Sequence, residues 1–141
     1  MHWGKCLQTL EGHSDWVNLV AFSHDSKLVA SALTDKTVRV WSADTGELKQ
    51  RLKGHSDWVN SVAFSHDSKL VASASTDETV RIWSADTGEL QQTLKGHSNS
   101  VNSVAFSHNS KFVASVSSDK TVRIWSADTG ELQQTFEGYS D

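Results

Sequence analysis

The sequence has little of several features that would assign it to particular classes of protein. Proline is absent, and Cys6 is the single cysteine, which cannot form an internal disulfide or build a metal site alone. No stretch approaches a membrane span, and the N-terminus lacks the apolar run of a secretory signal. The 13 Lys and Arg residues against 17 Asp and Glu residues leave no basic excess for binding a nucleic-acid backbone. We therefore expect a cytoplasmic protein that uses no membrane, nucleic acid, metal or other cofactor.

The main feature of the sequence is an internal repeat of 42 residues. A Gly-His pair occurs at 12–13, 54–55 and 96–97, and Gly138 is followed by Tyr139 at the next equivalent position. The first and second units are identical at 36 of 42 positions, and the second and third at 33 of 42. Such a period indicates a repeat architecture. It divides the chain into residues 1–11, three units (12–53, 54–95 and 96–137) and a remainder, 138–141.

Each unit contains four short segments with the composition of β-strands. In the first unit they are the apolar segments 17–22 and 28–32, the segment 38–41 with alternating polarity, and the polar segment 47–52. Polar turns separate them, and the last turn ends in Gly46, which suits a left-handed backbone position. No segment shows a sustained helical period, so the sequence predicts an all-β protein.

This pattern resembles the WD40 repeat: about 40 residues, a Gly-His start, four strands and a tryptophan ending the third. Two departures recur in every unit. The usual Trp-Asp pair is Trp-Ser, and the usual proline of the first turn is histidine, at His24, His66 and His108. In having nearly identical units, the sequence resembles the WD40 arrays of fungal NACHT-type (NOD-like) incompatibility receptors.

The resemblance implies three four-stranded antiparallel propeller blades, in an open arc or as part of an oligomeric ring. Residues 1–11 would supply the fourth strand of an incomplete preceding blade, and residues 138–141 would begin a truncated repeat. Three blades cannot close a ring with ordinary geometry, so both end faces of the arc would be bare. Two hypotheses follow: a homo-oligomer, as a six-bladed dimer or a nine-bladed trimer, or a piece of a longer chain that holds the other blades.

Each unit also contains His, Ser and Asp, the residue types of a nucleophilic triad. The resemblance implies another role, because in WD40 repeats these positions and the tryptophan correspond to a structural hydrogen-bonded tetrad. Repetition argues against catalysis as well, since an active site is normally single. The predicted tetrads are His13, Ser31, Asp35 and Trp41; His55, Ser73, Asp77 and Trp83; and His97, Ser115, Asp119 and Trp125.

Two further motifs have simple structural explanations. The Asp-Thr-Gly tripeptides at 44–46, 86–88 and 128–130 match those of aspartic proteases, but such enzymes need two carboxylates facing each other. Hairpin turns account for them. The histidines at the first turn suggest a ring of metal ligands, but we expect one imidazole per blade to lie too far from the next to share an ion.

The units differ most informatively near the Gly-His loop. Trp16 and Trp58 lie at the entrance to the first strand, where the third unit has Ser100, and a core position would not tolerate that change. We predict a partner-binding surface there, formed by Trp16, Trp58, Asp15, Asp57 and Leu33. Partial packing of the two tryptophans against a neighbouring blade is the alternative.

The sequence therefore favours a non-catalytic WD40 module that acts as a protein-interaction scaffold or ligand sensor, with a protein partner of unknown identity. One alternative is a structural fragment of a larger propeller with no independent function. Another is a small-ligand or enzymatic site at the centre of the ring, but no unit gains the added His, Cys or carboxylate pair that such a site requires.

Overall fold

The computed structural model describes residues 16–137, and every regular element in that range is a β-strand. No helix suited to crossing a membrane occurs in this range. The strands are β1 (Val17–Phe22), β2 (Leu28–Leu33), β3 (Thr37–Ser42), β4 (Leu48–Lys53), β5 (Val59–Phe64), β6 (Leu70–Ser75), β7 (Val80–Ser84), β8 (Leu90–Leu94), β9 (Val101–Phe106), β10 (Phe112–Ser117), β11 (Thr121–Ser126) and β12 (Leu132–Glu137).

The strands form three separate four-stranded antiparallel sheets, each a simple meander. Blade 1 contains β1 to β4, blade 2 contains β5 to β8, and blade 3 contains β9 to β12. This confirms the predicted all-β fold and its three blades in an open arrangement. Residues 1–15 and 138–141 lie outside the described range, and with them the predicted extra strand, His13 and Asp15.

The turns repeat because the same residues recur at each of them. In blade 1 the Ser23 hydroxyl donates to Asp25 Oδ1 at 2.6 Å, and the same oxygen accepts the backbone N–H of Lys27 at 3.0 Å. These bonds fix the turn between β1 and β2 and place Ser26 in the left-handed region, at φ 65°. Gly46 has the predicted left-handed backbone, at φ 76°.

The hydrophobic core lies between the blades. We call the side of a blade that faces the following blade its leading face, and the opposite side its trailing face. The leading face of blade 1 buries small and branched side chains against the trailing face of blade 2, and blade 2 packs on blade 3 in the same way. The first interface holds Ala30, Ala32, Val38, Val40, Leu52, Val59, Val62, Phe64, Val71 and Trp83. The second holds Ala72, Ala74, Val80, Ile82, Leu94, Val101, Val104, Val113 and Trp125.

Side-chain amides connect successive blades at two places, the first strand and the fourth strand. An asparagine of the first strand donates to the carbonyl that begins the first strand of the next blade, and a glutamine of the fourth strand donates to a carbonyl in the next blade's last turn. The bonds are Asn18 to Val59 O (2.9 Å), Asn60 to Val101 O (3.0 Å), Gln50 to Asp86 O (2.6 Å) and Gln92 to Asp128 O (2.7 Å). Because each bond satisfies a carbonyl at the edge of the apolar interface, the bonds also fix the register between blades.

Candidate functional site

Blade 2 contains a complete hydrogen-bonded tetrad. The indole N–H of Trp83 donates to Ser73 Oγ at 3.0 Å, and Ser73 Oγ lies 2.6 Å from His55 Nε2. On the other side of the ring, His55 Nδ1 lies 2.8 Å from Asp77 Oδ2. Strand β6 positions Ser73 and strand β7 positions Trp83. The histidine lies in the loop before β5, and the aspartate lies in the turn between β6 and β7.

The network assigns the histidine tautomer. Because the Ser73 oxygen accepts the indole proton, its own hydroxyl is free to donate to Nε2, and Nδ1–H then donates to the carboxylate. Burial opposes ionisation of Asp77, but hydrogen bonds from His55 and Thr79 outweigh it and hold the pKa of this carboxyl well below its usual value. The tetrad therefore ends in a carboxylate that stays charged at neutral pH.

Blade 3 repeats the arrangement. Trp125 Nε1 donates to Ser115 Oγ at 2.9 Å, His97 Nε2 lies 2.7 Å from the same oxygen, and His97 Nδ1 lies 2.9 Å from Asp119. Burial opposes ionisation of Asp119 too, and hydrogen bonds from Thr121 and His97 still lower its pKa strongly.

In blade 1 the described part of the tetrad agrees with the other two. Trp41 donates to Ser31 at 3.1 Å. Asp35 accepts the Thr37 hydroxyl at 2.6 Å and forms an ion pair with Arg39 at 3.3 Å. The histidine of this tetrad falls outside the described residues.

In each complete tetrad the hydrogen bonds run from serine to histidine to aspartate, as in a catalytic triad. The surroundings of these residues do not suit a nucleophile. Ser73 and Ser115 are completely buried, and each serine oxygen is already bonded to both an indole and an imidazole. A nucleophile must reach a substrate carbonyl and lie near donors that stabilise the developing oxyanion. The geometry instead suits a structural role, in which a closed polar network fixes the loops at one end of each blade.

The threonine two residues after each tetrad aspartate is a contributor that the sequence analysis missed. Its hydroxyl donates to Oδ1 of the aspartate at 2.6 Å in all three blades. The sequence did contain a signal for this role. The threonine is the same in all three units, at Thr37, Thr79 and Thr121, whereas the residue just before it varies between Lys and Glu.

Trp16 and Trp58 occupy equivalent positions at the tetrad end of blades 1 and 2, and both are exposed, at 79% and 54%. Their backbones are held firmly: Trp58 O accepts the N–H of Thr76 at 2.9 Å, and Trp16 O accepts the N–H of Thr34 at 3.1 Å. Asp57 lies beside Trp58 and accepts its backbone N–H at 2.7 Å. Two large aromatic side chains thus project from rigid backbone on the same end of adjacent blades.

The placement of Leu33 at this surface is wrong. Leu33 is the last residue of β2 and is completely buried. The serines at the equivalent positions are buried too, and each satisfies its hydroxyl with a hydrogen bond. Ser75 donates to Trp58 O at 2.8 Å and Ser117 donates to Ser100 O at 2.8 Å. The candidate surface in the described part of the chain therefore consists of Trp16, Trp58 and Asp57.

The expected wide separation of the first-turn histidines is also wrong. The rings of His24 and His66 stack with centroids 3.9 Å apart and an interplanar angle of 24°, and His66 and His108 lie 4.4 Å apart at 59°. Loss of hydration, then the neighbouring imidazoles, lowers the pKa of His66. We call these three residues the histidine column. Within residues 16–137, no three His, Cys, Asp or Glu side chains are grouped to hold a metal ion.

Comparison with known proteins shows which of them share this arrangement. The family model described as "WD domain, G-beta repeat" matches residues 4–42, 46–84 and 88–126. The second and third matches each begin before the fourth strand of one blade and end with the third strand of the next, so the sequence repeat is offset from the structural blade.

Several curated proteins resemble short parts of the chain. The vegetative incompatibility protein HET-E-1 of Podospora anserina is 52% identical over 44 residues, 31% of this chain and 3% of that protein. The protein transport protein sec13 of Emericella nidulans is 58% identical over 43 residues, 28% of this chain and 14% of that protein. A probable E3 ubiquitin ligase complex SCF subunit, sconB of Arthroderma otae, is 51% identical over 43 residues, 30% of this chain and 6% of that protein.

The solved structures described as "Structure of U3-55K" and "Crystal structure of RRP9 WD40 repeats" both superpose with a TM-score of 0.91 over 95% of this chain. They are 26% and 27% identical to it, and the chain spans 43% and 42% of their lengths. The repeat match covers most of the sequence, and the blades and tetrads agree with it. The chain belongs to the WD40 repeat family.

Proposed function

We propose that this chain is a protein-interaction module without catalytic activity, acting as a scaffold or a ligand-sensing WD40 unit, and that its partner binds the surface formed by Trp16, Trp58 and Asp57. The observation that carries the proposal is the exposure of two tryptophans on rigid, equivalent backbone positions. Large aromatic side chains are the residues on which binding energy in protein interfaces concentrates, because they bury much area with little loss of conformational entropy.

The tetrad supports this proposal by holding the surface in place. His55 and Ser56 precede the loop that ends at Trp58, and the backbone N–H of Ser56 donates to Asp77 Oδ2 at 3.0 Å. The aspartate therefore anchors both the imidazole and the loop backbone. A surface that is ordered before binding loses little entropy on binding, which favours affinity.

The names of the relatives are compatible with this function. WD40 relatives include a probable subunit of an SCF E3 ubiquitin ligase complex and a protein transport protein, sec13, as their names state. We infer that the present chain also works within an assembly, in the cytoplasm. Its blades would be completed either by further copies, as a dimer or trimer that closes a ring, or by the remainder of a longer chain.

The test is affinity capture from an extract of the source organism with three immobilised chains: the unaltered chain, Trp58→Ser and Leu90→Ser. Trp58→Ser introduces the residue that the third unit already carries as Ser100, so the fold tolerates it. Leu90 is a matched control, since it is 40% exposed but lies at the start of the fourth strand of blade 2, away from Trp58.

We expect the unaltered chain and Leu90→Ser to retain the same partner, and Trp58→Ser to bind it at least about 30-fold more weakly, as for the loss of a central interface tryptophan. Equal retention by all three chains would contradict the proposed surface. Circular dichroism of each variant checks that its fold is intact.

A further inference from the structure

The two ends of the array expose apolar faces that the inner blades bury. On the trailing face of blade 1, Val17, Val20 and Phe22 are 46%, 57% and 47% exposed. Their equivalents in blade 2 are Val59, Val62 and Phe64, which are at most 3% exposed because blade 1 covers them. These exposed residues are identical to the covered ones in type and in strand position.

The opposite end shows the same contrast. On the leading face of blade 3, Phe112, Val116 and Phe136 are 39%, 43% and 52% exposed. Their equivalents in blade 2 lie against blade 3: Ala74 and Leu94 are buried in the second interface, and Leu70 packs against it. The three described blades thus leave one leading face and one trailing face exposed, the two kinds of surface that form the internal interfaces.

We propose that the occupant of these ends is a second copy of this chain, docked head to tail, with the trailing face of its blade 1 on the leading face of blade 3 of the first copy. The inference deepens the proposal that copies complete the ring and is independent of the tryptophan surface. The junction continues the interfaces already present between blades 1 and 2 and between blades 2 and 3.

The polar groups at the junction are arranged to continue the internal hydrogen bonds. Asn102 donates to Ser118 within its own blade at 3.0 Å, as Asn60 does to Thr76. Asn60 also donates across the internal interface to a first-strand carbonyl. At the junction the equivalent acceptor for Asn102 is the carbonyl of Val17 in the next copy.

A second hydrogen bond crosses each internal interface at the first turn, from a backbone N–H to a serine hydroxyl, and between blades 1 and 2 it runs from Asp25 to Ser68 Oγ at 3.3 Å. The backbone N–H of His66 donates to Ser110 Oγ of the next blade at 2.9 Å. At the junction the corresponding donor and acceptor are the N–H of His108 and the hydroxyl of Ser26 in the next copy. The histidine column would then continue across the junction, with His108 of one copy next to His24 of the next copy.

The area is sufficient for a stable assembly. Four strands of about five residues present a face of roughly 320 Å² from standard strand spacings. Two copies that meet at both ends cover four such faces, about 1,300 Å², which exceeds the ~1,000 Å² expected of a specific interface. A single junction covers half of that area, so closure of the ring is what makes the assembly stable.

The third unit differs from the second on this face in a consistent way. Leu70, Ala74 and Leu94 are replaced by Phe112, Val116 and Phe136, and every change keeps the position apolar and enlarges the side chain. Three enlarged apolar residues on a solvent-facing sheet would favour aggregation. Under a covering blade they increase the buried apolar area, provided that the junction opens slightly to accept the added volume.

The experiment measures the mass of the intact chain by light scattering after size exclusion, over a range of concentrations at pH 7.5. The chain mass is 15.5 kDa. We expect a discrete species of two or three chain masses. A monomer at all concentrations would overturn the inference, and so would unlimited growth into open polymers, because neither contains a closed head-to-tail ring.

Two variants test the orientation. Val20→Asp alters only the trailing end and Val116→Lys only the leading end, and each should raise the dissociation constant at least about 100-fold, because closure would bury an unpaired charge. Leu90→Asp is the matched control and should assemble normally. Mixing Val20→Asp with Val116→Lys should restore a closed heterodimer, because one junction then has two unaltered faces and the other brings the introduced carboxylate and the introduced ammonium group together. If either variant alone still formed a normal oligomer, the head-to-tail arrangement would be wrong.

A third set of chains separates this inference from the proposed partner surface. Trp58→Ser should leave the mass unchanged while it weakens partner binding. The triple variant Phe112→Leu, Val116→Ala, Phe136→Leu makes the leading face of blade 3 identical to that of blade 2 at these positions, so it should still assemble, but less tightly than the unaltered chain because it buries less apolar area. If this variant assembled while the unaltered chain stayed monomeric, the larger side chains would block the junction and the inference would fail.

Discussion

Replacing Ser73 with alanine tests the structural interpretation of the tetrad most directly. The change removes one oxygen atom that accepts the indole N–H of Trp83 at 3.0 Å and donates to His55 Nε2 at 2.6 Å. Ser73 is completely buried, and the space left by one oxygen is too small for a water molecule. Both nitrogen atoms therefore lose their partner without a replacement.

The expected cost follows from this count. A buried donor or acceptor left without a partner costs about 1–3 kcal/mol. Two such groups are created, but they belong to one network and can relax together, so we expect Ser73→Ala to lower the free energy of unfolding by about 2–4 kcal/mol. Ser84→Ala is a suitable control, because the Ser84 hydroxyl accepts the N–H of Thr87 in an exposed turn, where water can replace it. We expect it to cost less than about 0.5 kcal/mol.

Urea unfolding followed by tryptophan fluorescence measures both variants, at a fixed protein concentration since assembly affects apparent stability. The same result in Ser115→Ala would show that the two complete tetrads have the same role. A loss below about 0.5 kcal/mol for Ser73→Ala would refute the reasoning, since a catalytic serine can be removed at little structural cost whereas a serine that holds a buried network cannot.

Two predictions concern pH. The pKa of Asp77 is lowered in the folded state, so its contribution to stability is present above the usual pKa of 3.8 and is lost as the pH falls below that value. Asp77→Asn should therefore lower stability at pH 7 but reduce the loss of stability in acid. An unchanged acid dependence in urea titrations would contradict the assignment. The pKa of His66 is lowered by loss of hydration and by His24 and His108, so the folded state binds its proton less readily and stability should fall as the pH drops through 6.5. His66→Gln should remove this step, and the urea midpoints at pH 7.5 and 5.5 would show whether it does.

The fold could be predicted closely because the repeat supplies three nearly independent copies of the same pattern. The predicted first strand, 17–22, agrees with the structure. The second extends one residue further, to Leu33, because Leu33 pairs with Val17 across the sheet. The boundary was missed because Ser75 and Ser117 at the same position look like loop residues, although each continues its strand.

The error at Leu33 has a physical cause. The sequence analysis placed Leu33 on the same surface as the two tryptophans, although it stands where the other units have Ser75 and Ser117. Serine is tolerated there because its hydroxyl donates to a backbone carbonyl: Ser75 bonds Trp58 O and Ser117 bonds Ser100 O. Burial with a local hydrogen bond and burial by apolar packing are thus alternatives at one position, and residue type alone does not distinguish them.

The interactions between blades were beyond reach of the sequence for a related reason. The sequence shows the period along the chain, but the distance between equivalent residues depends on where they lie relative to the axis of the arc. The strands β1, β5 and β9 lie side by side. Equivalent residues at their turns are therefore neighbours, whereas the glutamines of the fourth strands bond a turn carbonyl of the next blade and not their own equivalents.

The histidine column shows what this placement does chemically. The nearly parallel rings of His24 and His66 have their lone pairs in planes 24° apart, so those lone pairs do not converge on one ion, although the rings touch. Stacking suits neutral imidazoles, while protonation of adjacent rings places like charges about 4 Å apart. If a second copy continues the column beyond His108, each junction adds one more such contact.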